Sequence, residues 1–132
     1  MSRITGLSSI TGLGSWVNQG ADVSCTTDFN ETRNSLTNPV PTNIQQIQGI
    51  NATITLRINI LFNDGGILRY SKDNESTFTS IDDEGTFTVV NGDLVSFQFE
   101  ADGFGYSISF DVINQTDNNT NLGTITATYV FD

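Results

Sequence analysis

The sequence predicts an all-β fold, an antiparallel β-sandwich of immunoglobulin-like or jelly-roll-like type with an extended N-terminal arm. Three observations lead to this prediction. From Ala52 onward, apolar and polar residues alternate with a period of two, which is typical of strands with one buried face. Turn sequences rich in Asn, Asp and Gly separate the alternating segments. No stretch shows a sustained helical period.

The longest alternating segment predicts a central strand. One face of that strand is expected to carry Ala52, Ile54, Leu56, Ile58, Ile60 and Phe62. Further strands are predicted at 67–71, 77–81, 86–90, 94–101, 106–114 and 124–131. β-branched and aromatic residues occupy one face of these strands and hydroxyl side chains the other, as half-buried antiparallel strands require. The aromatic residues expected in the core are Phe87, Phe97, Phe99, Phe110 and Phe131.

The character of the sequence changes near residue 50. Residues 50–132 are predicted to form the sandwich domain, and residues 1–49 an extended N-terminal arm or irregular segment. Glycines recur through the first 20 residues and weaken any regular element there. The sequence NPVP at 38–41 is incompatible with a helix or a central strand.

The arm begins with a repeat, because ITGL occurs at both 4–7 and 10–13. Large apolar side chains stand here on a low-charge backbone, and such a chain can bind a neighbour by adding a strand and filling alternate pockets. The predicted partner-binding residues are Ile4, Leu7, Ile10, Leu13 and Trp16. Two other interpretations stay open, namely a first hairpin of the same sandwich and plain disorder.

The charge balance excludes several functions. Five basic and 15 acidic residues give a net charge of -10, so we expect no nucleic-acid binding and no membrane binding through a basic face. No segment approaches the ~20 apolar residues of a membrane span. The N-terminus has no apolar core of a signal peptide, so synthesis in the cytoplasm is expected. A single cysteine, Cys25, excludes an internal disulfide.

The residues needed for common catalytic centres are missing. The chain has no histidine and one cysteine, which excludes zinc sites of the Cys/His type and histidine-based triads. We therefore expect no enzymatic activity, no catalytic residue, no metal and no cofactor. The acidic turn at 82–84 is expected to be solvated, with a weak cation site as the alternative. Arg57 is expected to pair across strands with Glu100 or Asp111.

Two aromatic residues flanked by glycines, Phe104 and Tyr106, are the candidates for an exposed contact with a sugar or a partner. Local packing over one end of the sandwich is the alternative interpretation.

Residues 86–132 carry a family resemblance. The segments NGDLVSFQF (91–99), YSISFDV (106–112) and LGTITATYVF (122–131) resemble the closing strands of small immunoglobulin-like domains. Such domains are common among the head-decoration, fibre and adhesin components of tailed bacteriophages.

The resemblance implies a non-enzymatic structural protein of a virion, an accessory capsid-decoration or cement protein that binds neighbours through its N-terminal arm. Its expected partners are other virion proteins, either the capsid or neighbouring copies in a homo-oligomeric assembly. Its expected location is the virion, assembled in the host cytoplasm. The alternative function is a receptor- or glycan-binding module of the tail-fibre or adhesin type.

Overall fold

A computed structural model describes residues 21–131, and this part of the chain contains strands but no helix. The strands are β1 (Glu31–Ser35), β2 (Val40–Pro41), β3 (Gln45–Gln46), β4 (Ile54–Asn63), β5 (Gly66–Ser71), β6 (Thr79–Ser80), β7 (Thr86–Val89), β8 (Leu94–Ala101), β9 (Ser107–Asn114) and β10 (Thr120–Tyr129).

The strands form two sheets that pack face to face. The first sheet has the order β1-β10-β9-β4-β7, and the second has the order β2-β8-β5-β6, with β3 pairing along the same edge of β8 as β2. Every strand pair is antiparallel except β1 with β10, which is parallel. The predicted antiparallel sandwich is confirmed.

The core between the sheets is centred on Phe97, which lies on β8 of the second sheet. Its ring meets those of Phe29, Phe87 and Phe110 edge to face, with centroids 6.2, 6.4 and 5.0 Å away. Phe87 and Phe110 belong to the first sheet, so these contacts join the two layers. Aromatic pairs in this orientation add about 0.5–1.5 kcal/mol each to the burial of apolar area.

The structure differs from the predicted division at residue 49/50, because residues 21–49 contribute to both sheets. β1 pairs with β10, while β2 and β3 pair with β8. Phe29, Val40 and Ile47 are buried in the core. This segment has no apolar alternation, because its three strands are short and only Val40 among their residues is buried. Their partner strands also lie far away in the sequence.

A β-bulge in β4 corrects a second prediction. Ile60 pairs with Phe110 and Phe62 pairs with Ser109, which leaves Leu61 as an extra residue. The bulge shifts the alternation by one, so Phe62 lies on the outer face rather than with Ile58 in the core. The period-two pattern is confirmed only as far as Ile60.

Arg57 does not make either predicted pair. Its Nε lies 3.2 Å from Glu84 Oε1, an ion pair without hydrogen-bond alignment, and its Nη1 donates to Asn119 Oδ1 at 2.8 Å. Glu100 pairs instead with Arg69 at 2.8 Å. Asp111 stands opposite Asn59, two residues away from Arg57 along β4.

Replacement of Phe29 tests whether the segment before β1 is part of the sandwich. Phe29→Ala leaves a cavity against Phe97, so we expect a loss of about 3–5 kcal/mol in the free energy of unfolding. Urea denaturation followed by circular dichroism measures it. A loss below about 1 kcal/mol would contradict the burial of this residue.

Replacement of Gly123 is a second test of the packing between β10 and the segment before β1. Gly123 has a φ of 149°, and a Cβ there would stand 2.4 Å from the backbone nitrogen of Asn30. Gly123→Ala is therefore expected to cost at least about 2 kcal/mol.

Gly103→Ala is the matched control, since the nearest atom to a Cβ at Gly103 is a Tyr106 ring carbon at 4.0 Å. Equal denaturation midpoints for the two variants would contradict the close approach of β10 to residues 29–30.

Candidate functional site

Large apolar side chains are exposed mainly at one end of the sandwich. Nine such residues are exposed among those described. Seven of them lie at or next to strand ends that meet at one end of the sandwich. We call this set the apolar end: Leu36, Leu61, Phe62, Ile67, Phe104, Tyr106 and Phe131.

Strand direction explains why these residues share one end. β1, β4, β8 and β10 finish there, while β5 and β9 start there. Backbone hydrogen bonds tie the connections together. The amide of Asp64 donates to Ser107 at 2.9 Å, that of Asp102 to Gly65 at 3.0 Å, and that of Val130 to Ser35 at 2.9 Å.

An aromatic stack forms one part of the apolar end. The ring of Phe104 stacks on Tyr129 and on Phe131, with centroids 4.5 Å away in both cases. The amide of Gly105 donates to the carbonyl of Tyr129 at 2.6 Å and fixes the loop on the last strand. Phe104 stays 46% exposed and Phe131 71% exposed, so the stack is open to solvent on one side.

Tyr106 lies over the turn between β4 and β5. A Cβ on Gly65 would stand 2.8 Å from the Tyr106 ring, so only glycine permits this contact. The ring is 40% exposed. The structure thus brings both predicted contact residues, Phe104 and Tyr106, to the same end and also packs each against its neighbours. Their binding role stays a prediction.

The predicted partner-binding residues Ile4, Leu7, Ile10, Leu13 and Trp16 lie outside the described residues.

Sequence reasoning placed two residues of this surface in the core. Phe62 is exposed because of the bulge, and Phe131 is exposed because β10 ends at Tyr129, two residues earlier. The adjacent apolar pair Leu61–Phe62 was the available signal, since a strand with one buried face does not place two large apolar residues in succession.

Two strand edges remain open beside the apolar end. On one side, β4 pairs with β7 only from Ile54 to Arg57, although β4 continues to Asn63. In the second sheet, β5 pairs with β6 only at Arg69 and Tyr70. Within residues 21–131, no strand covers the remaining edges at 61–63 and 66–67. Unpaired strand edges are templates for an added strand.

The turn at 81–85 forms hydrogen bonds to both edge strands, β4 and β5, next to their open parts. The amide of Ile60 donates to Asp83 Oδ1 at 2.8 Å, and the amide of Glu84 donates to Ile58 at 2.7 Å. The amide of Ile81 reaches Leu68 at 2.9 Å in the second sheet. In this acidic turn, the carboxylates of Asp83 and Glu84 therefore have partners within the protein. In the described part of the chain, no group of three or more acidic, His or Cys side chains is placed to hold a metal ion.

Carboxylates border the apolar end. Asp64 and Asp102 lie in its loops, and Ser107 donates to the Asp64 carboxylate at 3.3 Å. Across residues 21–131, the ion pairs involve Glu31, Glu84 and Glu100 and neither of these aspartates. The surface therefore combines apolar side chains with two negative charges that no cation offsets locally.

A pocket of about 410 Å³ lies at the opposite end of the sandwich, between the loop after β5 and strand β7. Its charged residues already have partners in the fold. Lys72 Nζ donates to the carbonyl of Thr88 at 2.7 Å, and the Asp73 carboxylate accepts from the Thr77 hydroxyl at 2.6 Å. Val90 lines this pocket and a second, shallower one beside Asn51.

Hydrogen bonds to the Asp73 carboxylate change its acidity. The Thr77 hydroxyl and amide, and then the Ser71 hydroxyl, lower the pKa of Asp73 from 3.8 to about 2. Each donor favours the charged carboxylate, and together they close the loop between β5 and β6.

The sequence matches no protein-family model, no curated protein and no solved structure. No helix in the described residues is long and apolar enough to cross a membrane.

The pKa of Asp73 predicts a pH dependence of stability. Because the folded-state pKa lies below 3.8, the carboxylate contributes stability above about pH 4, and this contribution is lost as the pH falls towards 2. We expect the free energy of unfolding to fall more between pH 4 and 2 in the wild type than in Asp73→Asn.

Carboxyl NMR titration of Asp73 gives the direct test, with Thr77→Val as the partner variant that raises the pKa towards 3.8. A wild-type Asp73 that titrates near 3.8 would show that the Thr77 bonds do not form in solution.

Proposed function

We propose that the protein is a non-enzymatic structural protein of a bacteriophage particle, an accessory decoration or cement protein that joins neighbouring virion proteins. The observation that carries this proposal is the apolar end, where seven exposed apolar side chains stand beside two open strand edges. Soluble monomers rarely expose a large apolar surface unless it binds something.

The composition of the apolar end is that of a protein interface. Four of its seven side chains are aromatic, and aromatic residues are enriched at interface cores. The rim carries Asp64 and Asp102, which suits a polar border around an apolar centre. The strand edges add main-chain hydrogen bonds as a further source of affinity.

The resemblance of residues 86–132 to phage immunoglobulin-like domains supports the virion part of the proposal. This stretch contains strands β7 to β10. Three of them, β7, β9 and β10, belong to the five-stranded first sheet, and β8 is a central strand of the second sheet. The N-terminal residues Ile4, Leu7, Ile10, Leu13 and Trp16 remain the proposed partner-binding segment.

A second candidate function is glycan or receptor binding through Phe104 and Tyr106. A sugar ring stacks on a free aromatic face. Phe104 already stacks on Tyr129 and Phe131, and Tyr106 packs against Gly65. These contacts favour a protein partner over a sugar.

Co-sedimentation with phage particles tests the proposal. The particle is that of the genome encoding this chain, purified from a strain in which the gene is deleted. We expect the wild-type protein to sediment with these particles. Leu61→Asp/Phe62→Asp is expected to reduce bound protein by about tenfold or more, because it places charge in an apolar contact.

The matched control is Val90→Asp, an equally exposed apolar residue at the opposite end, which is expected to bind as the wild type does. Absence of the wild-type protein from the pellet contradicts the proposal. If a glycan array then shows binding that Phe104→Ala/Tyr106→Ala abolishes, the second function replaces the first.

A further inference from the structure

We propose that the apolar end binds residues 1–20 of a second copy of this chain, so that copies join head to tail. This inference rests on the proposed function, because it assigns a receptor site to the proposed partner-binding segment.

The segment is attached at the end of the sandwich opposite to the apolar end. Asp22 exchanges hydrogen bonds with Asn51, and the carbonyl of Val23 accepts from the buried side chain of Asn114 at 2.7 Å. Asn114 ends β9, whereas the apolar end lies where β9 begins. Copies stacked along the strand direction therefore bring the segment of one to the apolar end of the next.

Chain length places the aromatic stack of the same copy beyond the reach of Trp16. Trp16 is five residues from Ala21 and reaches about 17 Å at full extension. Strand β9 alone, eight residues from Ser107 to Asn114, spans about 24 Å. Trp16 therefore does not reach the aromatic stack of its own chain, whereas stacked copies would bring the stack of the next copy within its reach.

Charge also favours this pairing. All 15 acidic residues and four of the five basic residues lie after residue 20. The segment itself carries Arg3 and no carboxylate side chain. Asp64 and Asp102 at the apolar end have no cationic partner among the described residues, so a basic segment complements them.

The repeat suits an added strand. Residues three apart point to opposite faces of a strand, so Ile4 and Ile10 share one face and Leu7 and Leu13 the other. A strand added to the open edge of β4 turns one face towards the second sheet. The other face of the added strand lies on the outer side of the first sheet, where Phe62 also lies. Phe62 is on that side because it pairs with Ser109, which points away from the core that buries its neighbour Phe110. An added strand would therefore place one apolar face of the repeat beside Phe62 and turn the other towards the second sheet.

The experiment uses two complementary variants of the full chain in sedimentation velocity. Phe62→Asp disables the apolar end, and Leu7→Asp/Leu13→Asp disables the segment. We expect the wild type to form species larger than a monomer as its concentration rises. Each variant alone is expected to be monomeric, with association weakened about tenfold or more.

The mixture of the two variants is the decisive sample. The intact segment of Phe62→Asp can bind the intact apolar end of Leu7→Asp/Leu13→Asp. The two remaining surfaces of this pair are both disabled, so we expect a 1:1 dimer that does not grow further. Ile44→Asp, an exposed apolar residue in the connection between β2 and β3 at the side of the sandwich, is expected to associate as the wild type does. If Phe62→Asp does not fold, Phe131→Asp, beyond the last strand, takes its place.

Three results would overturn the inference. A wild type that stays monomeric shows that no second copy binds, while the particle co-sedimentation still tests the proposed function. Loss of association in the segment variant but not in Phe62→Asp shows that the segment binds elsewhere. Mixed variants that remain monomeric show that the two surfaces do not bind each other.

Discussion

Contact between the two sheets through Phe97 is the interaction on which this structure depends. The chain has one cysteine and therefore no internal disulfide, so packing alone must hold the layers together. Phe97 meets rings from β7 and β9 of the opposite sheet and from Phe29 before β1. Burial of an aromatic side chain removes about 150–250 Å² from water. The same ring thus closes the sandwich and holds residues 21–30 on it.

The apolar end is a product of the same architecture. Beyond the strand ends the chain carries Phe104 and Phe131, and the ring of Phe104 stacks on Phe131 and on Tyr129, the last residue of β10. The short strands β6 and β7 leave the edges of β4 and β5 open at this end. A fold in which these two strands were longer would cover both edges and lose the surface. The proposed binding surface therefore depends on where the pairing of β4 with β7 and of β5 with β6 stops.

Sequence patterns predicted the sandwich because strands β4, β8, β9 and β10 are eight or more residues long and alternate over most of their length. They did not reveal β1 to β3, whose partners are β8 and β10, more than 45 residues away. The bulge at Leu61 was also hidden, because register depends on the opposite strand as well as on the local pattern. Phe104 and Tyr106 were found through their flanking glycines, whereas Phe62 and Phe131 were missed because apolar character alone does not distinguish a core from a surface.

The parallel pairing of β1 with β10 has a consequence for biosynthesis. β1 is an edge strand whose one partner in the first sheet is β10, and β10 is the last strand in the described part of the chain. Translation at ~5–20 residues per second separates the two strands by on the order of ten seconds. During that interval the emerging polypeptide lacks the strand that lies between β1 and β9. Completion of the first sheet therefore waits until β10 has been synthesised, and until then the edges of β1 and β9 that face β10 stay unpaired.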